Sequence, residues 1–258
     1  MSRRCIDLNA DVGEASEEGA IRVERALLGL VTSAHVACGG HAGDQASMHA
    51  TVEAALGHGV RIGAHPSYPD RTGFGRRPME MDAGALTATL RRQLEALALV
   101  CSSAGTTVAS VKAHGALYGE VARGGPALTA LLDAWRSVCA PGTVLVLRAG
   151  SPAVELARRG GVGVLEEAFC DRAYASTGGL LERRVAGSVL SDPDMAARQA
   201  VSLARDGRVA TADGAPLALR VDTLCIHGDT PGAPAMAAAV RRALVDCGME
   251  VVAPPPAA

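Results

Sequence analysis

The 258-residue sequence is poor in aromatic side chains, with one Trp, three Tyr and two Phe, and it contains a single lysine, Lys112, and a single asparagine, Asn9. It has no block of Lys and Arg of the kind that neutralises phosphates, and its net charge is only −2. Nothing in the charge therefore points to nucleic acid, and a small neutral or anionic substrate fits better. No apolar run reaches the roughly 18 residues of a membrane span. The N-terminus arrives at Asp7 before any stretch long enough for a signal peptide, so a cytoplasmic protein is expected, with no membrane partner. The seven cysteines are odd in number and include no C-x-x-C pair. Several, such as Cys38 and Cys225, sit in apolar strand-like runs where Cys acts as a small hydrophobe, which argues against disulfides and a structural zinc. A G-x-x-x-x-G-K-[ST] phosphate loop is excluded, because the one lysine is followed by Ala113.

What is present is an alternation of short β-branched or apolar runs with longer Ala/Leu/Arg segments, the pattern of repeated βα units and a mainly parallel sheet. Strands are predicted near 5–11, 33–38, 60–65, 109–114, 143–149, 162–170 and 223–229. Helices are predicted near 16–30, 43–58, 83–104, 125–139, 152–159, 192–206 and 232–247, and a short eighth strand near 249–253. Asp44 and Ser151-Pro152 suit helix starts, and Gly59, Gly105 and Gly160 suit helix ends. The reading is one α/β domain over 1–258, a parallel (β/α) barrel of seven strands and irregular form, with a long connection at about 171–191 and a disordered tail at 254–258.

The first strand, Ile6-Asp7-Leu8-Asn9-Ala10-Asp11, splits by period two: Asp7, Asn9 and Asp11 share one face, Ile6 and Leu8 the other. In a barrel the polar face points into the lumen, near the C-terminal mouth where such enzymes place their sites. Gly63 and His65, Lys112 and His114, and His227 and Asp229 repeat the arrangement at later strand ends, and His41 follows the second strand. Lys112 stands alone in a composition that otherwise supplies arginine, and the five Phe and Tyr residues all fall in or beside these polar segments. Asp and His can move protons near neutral pH. A buried Lys can stabilise an oxyanion, or act as a base if its pKa is depressed. The same groups, Asp11, His41, His65 and His114, are also candidates to hold a divalent metal, although no H-E-x-x-H pair is present. The loop from Ala64 to Arg77 offers glycines for close approach and arginines for an anion, with Arg76 and Arg77 as the grip. Glu166 to Leu180 reads as a substrate-shaping segment, with its glycines leaving room for a lid.

Six segments in order, Ile6–Glu14, Ala37–Asp44, Gly63–Asp70, Gly73–Arg77, Val111–Tyr118 and Ile226–Asp229, resemble the LamB/YcsF family across nearly the whole chain. That resemblance implies ATP-dependent opening of 5-oxo-L-proline to L-glutamate by a 5-oxoprolinase, shared with two partner subunits, B and C. ATP, with its Mg, would then use a site on those partners, in keeping with the missing phosphate loop. The family also looks like a relative of the glycoside hydrolase/deacetylase barrels, some of which bind metal through Asp and His. On this reading Asp11 and His114 transfer protons and Lys112 polarises the carbonyl or serves as a charge partner. Asn9, His41, His65, His227 and Asp229 position the substrate, and Arg76 and Arg77 hold an anion. The chain departs from the family pattern at His35, Gly40 and Ala113, which bears on the shape of the pocket. Two alternatives stay open: a metal-dependent amidohydrolase or carbohydrate deacetylase acting alone, and a non-catalytic substrate-binding subunit.

Overall fold

The computed structural model describes residues 5–230 and 232–254. Chain order runs β1 (Cys5–Val12), α1 (Glu18–Leu28), β2 (Ser33–Ala37), α2 (Gln45–Gly57), β3 (Arg61–His65), α3 (Ala83–Ser103), β4 (Ser110–Val111), α4 (Gly115–Ala122) and α5 (Pro126–Val138). It continues through β5 (Val144–Arg148), α6 (Pro152–Arg159), β6 (Val164–Phe169), α7 (Pro193–Val201), β7 (Arg208–Ala210), β8 (Pro216–Ala218), β9 (Thr223–Ile226), α8 (Ala233–Asp246) and β10 (Glu250–Val251). Seven parallel strands, β1 to β6 and β9, pair in sequence, and β9 returns to β1 to close the barrel. The expected seven-stranded (β/α) barrel is thus formed.

The period-two pattern of β1 decides which groups enter the lumen. Ile6, Leu8, Ala10 and Val12 join the apolar layer between strands and helices, each at most 2% exposed. Asp7, Asn9 and Asp11 are buried too, but they face inward and are satisfied by groups on other strands, as buried polar groups must be. Helix boundaries follow local chemistry. Asp44 accepts from the Ser47 backbone N–H while the Ser47 hydroxyl accepts from the Asp44 N–H, a reciprocal cap. Gly161, at φ +74°, takes the left-handed turn after α6; the expected position was one residue earlier, at Gly160, which stays right-handed.

Other differences have physical reasons. The strand expected over 109–114 keeps only two ladder residues, yet Lys112 N and His114 N still donate to Ala64 O and Pro66 O at 2.9 Å each, so the alternation toward the mouth persists. The strand expected to 229 stops at Ile226. Helix α4 is absent from the expected elements, because eight residues opening on a glycine with no capping side chain give little periodicity. The β7–β8 hairpin is absent from them as well, its strands being three residues each. The eighth strand exists as β10, but it pairs with β1 only at Cys5 and Ile6, beside the ring and not in it. The tail reading falls almost wholly on residues 255–258, outside the described residues. No described helix is long and apolar enough to cross a membrane.

Candidate active site

At the C-terminal mouth of the barrel lies a cavity of about 620 Å³, floored by Asp11, Lys112 and Glu167 and walled on one side by Glu14, His65 and His114. Lys112 is its central charge. Its Nζ stands 2.6 Å from Asp11 Oδ1, 2.9 Å from Glu167 Oε1 and 2.9 Å from Asn9 Oδ1. Asn9 in turn donates to Glu167 Oε1 at 3.1 Å and to the Thr223 hydroxyl at 2.7 Å, and Tyr118 donates to Glu167 Oε2 at 2.7 Å. Three strands, β1, β6 and β9, and α4 are thereby tied to one cation. Burial works to lower the Lys112 pKa, but the negative charge of Asp11 and its neighbours outweighs it and holds the amine well above its ordinary value. Lys112 is therefore a fixed cation; the base role left open by the sequence needs the opposite shift. Burial likewise raises Asp11, but His65 and Lys112 reverse the effect and leave it well below the usual carboxylate range.

Beside this triad, polarity is set by backbone carbonyls. His65 Nδ1 lies 2.8 Å from Lys112 O and His114 Nε2 lies 2.9 Å from Phe74 O. A carbonyl only accepts, so both of those nitrogens carry the proton. The remaining lone pairs, on His65 Nε2 and His114 Nδ1, then face each other at 3.0 Å. Glu14 Oε1 completes the cluster, 3.2 Å from His114 Nδ1 and 3.8 Å from His65 Nε2. Two ring lone pairs facing each other beside Glu14 Oε1, and with Asp11 Oδ2 3.3 Å from His65 Nε2, call for a cation between them, either a shared proton or a metal. An imidazole that donates its far N–H to a carbonyl is the usual support for a metal ligand. The residues fit a divalent ion on this ground. A second trio, Asp11, Cys225 and His227, also converges, but the Lys112 ammonium is 3.5 Å from Cys225 Sγ and already fills the place of a cation.

Glu14 is positioned by Glu24 of α1, whose carboxylate accepts the backbone N–H groups of Gly13, Glu14 and Ala15 at 2.9–3.0 Å. His41 meets Glu14 Oε1 through Nε2 at 2.8 Å and stacks on His114 with ring centroids 3.7 Å apart. It backs the wall and does not line the cavity. Asn9 lies beneath the floor. His227 reaches the cavity, its Nδ1 3.0 Å from both oxygens of Asp171. The structure thus brings together Asp11, Lys112, His114, His65 and His227, with Asn9 and His41 as supports.

The arginine loop behaves differently. Arg76 is paired with Asp229, which also meets Arg183 at 3.3 Å, and these groups sit at the rim. Arg77 is paired with Asp70, its side chain 63% exposed and outside the cavity lining. Of the departures from the family pattern, only Ala113 lines the cavity. His35 lies below it, its Nε2 3.1 Å from Ser110 Oγ, in space left by Gly63, where a Cβ would collide with the His35 ring. At Gly40 a Cβ would collide with Gln93; Gln93 fills that space and hydrogen-bonds both the N–H and the carbonyl of Ser67. Sequence reasoning did not single out Glu14, Tyr118, Glu167, Arg148 or Asp171 as site residues. Glu14 lies one residue past the Gly13 turn, where strand alternation ceases to report direction.

The buried imidazoles predict acid sensitivity. Burial holds His41 down at about 4 against the 6.5 of a free imidazole, and it lowers His35 and His114 as well. Such groups stay neutral in the folded chain while the unfolded chain takes up protons, so stability is full above pH 6.5 and falls as pH drops toward 4. For His41 the loss is about 3 kcal/mol at the low end. His227, raised by Asp171 against its burial, acts in the opposite sense but is one group against three. Urea midpoints at about pH 7, 6 and 5 should decline in that order; a flat or rising series would contradict the assigned neutral states.

Comparison with known proteins places this geometry. A model of the LamB/YcsF family matches residues 6–258. A 5-oxoprolinase A subunit of Agrobacterium fabrum is 44% identical over 92% of each chain. The 5-oxoprolinase A subunit of Syntrophobacter fumaroxidans is 42% identical over 96% of this chain and 97% of its own. The crystal structure of a lactam utilization protein from Thermus thermophilus superposes with a TM-score of 0.88 at 40% identity, covering 96% of this chain and 99% of that one. A family 4 carbohydrate esterase from Streptomyces lividans, 12% identical with a TM-score of 0.51 over 96% of this chain and 91% of its own, shares the fold alone.

Proposed function

The chain belongs to the LamB/YcsF family, and from that membership we propose that it is the A subunit of an ATP-dependent 5-oxoprolinase, opening 5-oxo-L-proline to L-glutamate with subunits B and C in the cytoplasm. The name shared by its relatives supports the substrate. The observation that carries the chemistry is Lys112, a permanent cation fixed at the floor of the cavity beside the facing His65–His114 pair.

Hydrolysis of a lactam adds water to the ring carbonyl, breaks the C–N bond and delivers a proton to the departing nitrogen. Lys112 suits the carbonyl oxygen, where negative charge develops, and its fixed position means little reorganisation is needed as that charge grows. The lone pairs of His65 and His114 suit removal of a proton from water and its return to nitrogen. Asp11, held as an anion, orients Lys112 and His65 and is a poor proton donor at neutral pH. Alternatively, Glu14, His65 and His114 would hold a divalent cation through those same lone pairs, which would then not act as bases, and the ion would supply Lewis acidity and a more acidic water. ATP, with Mg, is assigned to subunits B and C.

The test is 5-oxoproline-dependent ATP hydrolysis by the chain alone and with both partners. Activity only in the complete set is the expected result. Ring opening by the chain alone, without ATP and lost to chelators, would favour an independent metal-dependent amidohydrolase. Unchanged chemistry after substitution of Lys112 would reduce the chain to a binding role.

A further inference from the structure

Resting on the lactam reading, we propose that Arg148 is the anchor for the substrate carboxylate. Arg148 ends β5 and stands in register opposite Glu167 of β6, so the two side chains leave the sheet on the same side, and both line the cavity. They do not pair. Glu167 is already occupied, Oε1 by Lys112 and Asn9 and Oε2 by Tyr118. Among the described residues the Arg148 guanidinium has no hydrogen-bond or ion-pair partner, and its Nε is buried without one. Every other arginine of the lining is engaged: Arg76 and Arg183 with Asp229, Arg123 with Glu120, Arg184 with Glu182, and Arg172 with the carbonyls of Ser188 and Leu181.

A buried donor left without an acceptor is costly, so a guanidinium aimed into a cavity with nothing to bind points to a ligand that supplies the acceptor. Its planar fork matches a carboxylate through two parallel hydrogen bonds. The charge count also favours a carboxylate over a phosphate, since the lining carries seven Lys and Arg side chains against six Asp and Glu, an excess of a single positive charge. The roof passes close to the fork at Gly179, where an added Cβ would stand in ordinary contact with Arg148 Nη1, at 3.9 Å. Since β5 lies beside β4, a carboxylate at Arg148 sets the lactam ring across toward Lys112 and His114, with the amide at the reacting end.

The experiment is calorimetric binding to the full chain and to the reconstituted complex, with 5-oxo-L-proline and with 2-pyrrolidinone, the same ring without the carboxylate. Arg148→Met should weaken 5-oxoproline binding about 10- to 100-fold, the range for a charged hydrogen bond lost. It should leave 2-pyrrolidinone binding unchanged, which also reports an intact fold. Arg148→Lys should recover part of the loss, because it restores charge without the fork. If wild type binds 5-oxoproline and Arg148→Met binds it equally, the anchor is elsewhere and the lactam reading stands. If Arg148→Met weakens both ligands alike, Arg148 shapes the pocket and is not a carboxylate site. If wild type binds no 5-oxoproline in either form, the lactam reading fails and the anchor falls with it.

Discussion

Lys112→Met is expected to lower turnover of the reconstituted complex by about 10²- to 10³-fold, the range for removing one fixed donor to a developing oxyanion. It also leaves Asp11 and Glu167 facing each other across a buried floor without the cation that separates them. Breaking a buried ion pair by removing one partner costs about 3–5 kcal/mol, a large part of the stability of an ordinary domain. The two effects separate in Lys112→Met/Glu167→Gln. Neutralising Glu167 relieves the repulsion, so the urea midpoint should recover in part while turnover stays low. Turnover by Lys112→Met within about threefold of wild type would remove Lys112 from the chemistry.

The second large effect is at Glu14. In Glu14→Gln the negative charge that a cation would meet is removed, and the amide can either donate to the lone pairs of His65 and His114 or accept from His41, since one atom, Oε1, makes all three contacts. The fold should survive, with the melting temperature lowered only by the one hydrogen bond lost. Turnover should fall by about 10²- to 10⁴-fold, as for loss of acid–base or metal-assisted chemistry. The decisive readout is metal content after dialysis against zinc, manganese or nickel. Wild type should retain about one equivalent and the variant almost none, because affinity depends on the complete ligand set. A wild-type chain that retains no metal makes the cluster a proton-sharing pair, and the loss in Glu14→Gln should then appear as a displaced pH–rate profile.

Much of this site can be read from the sequence because barrel strands convert period two into direction. Alternation alone puts Asp7, Asn9 and Asp11 on the inner face, and Lys112 stands out by its composition. Period two loses its meaning where the strand ends. Glu14 follows a turn, Tyr118 is on a helix too short to show a period, and Arg148 is one arginine in a chain rich in them. Its significance comes from having no partner among the described residues, a property that exists only in three dimensions. Clustering in the sequence marks Arg76 and Arg77 as an anion grip. The structure surrounds that cluster with Asp70 and Asp229, residues seven and 153 positions away in the pairs they form. Asp7 shows the converse: it shares the face of Asp11, yet sits at the lower end of the barrel, held by the hydroxyls of Thr32, Ser33 and Thr223.

Strands β6 and β9 are bonded neighbours, although the chain travels from Phe169 to Thr223 between them. That excursion contributes Leu180 to Arg184 to the cavity, and it leaves and re-enters the barrel at two adjacent points. Lengthening such a loop is thermodynamically mild, about 0.6 kcal/mol for each doubling. The roof can therefore diverge or be exchanged between homologues while the ladder beneath it, and the charges that ladder fixes, are inherited intact. Selection for a different ring or side group has a place to act that does not disturb the reacting floor.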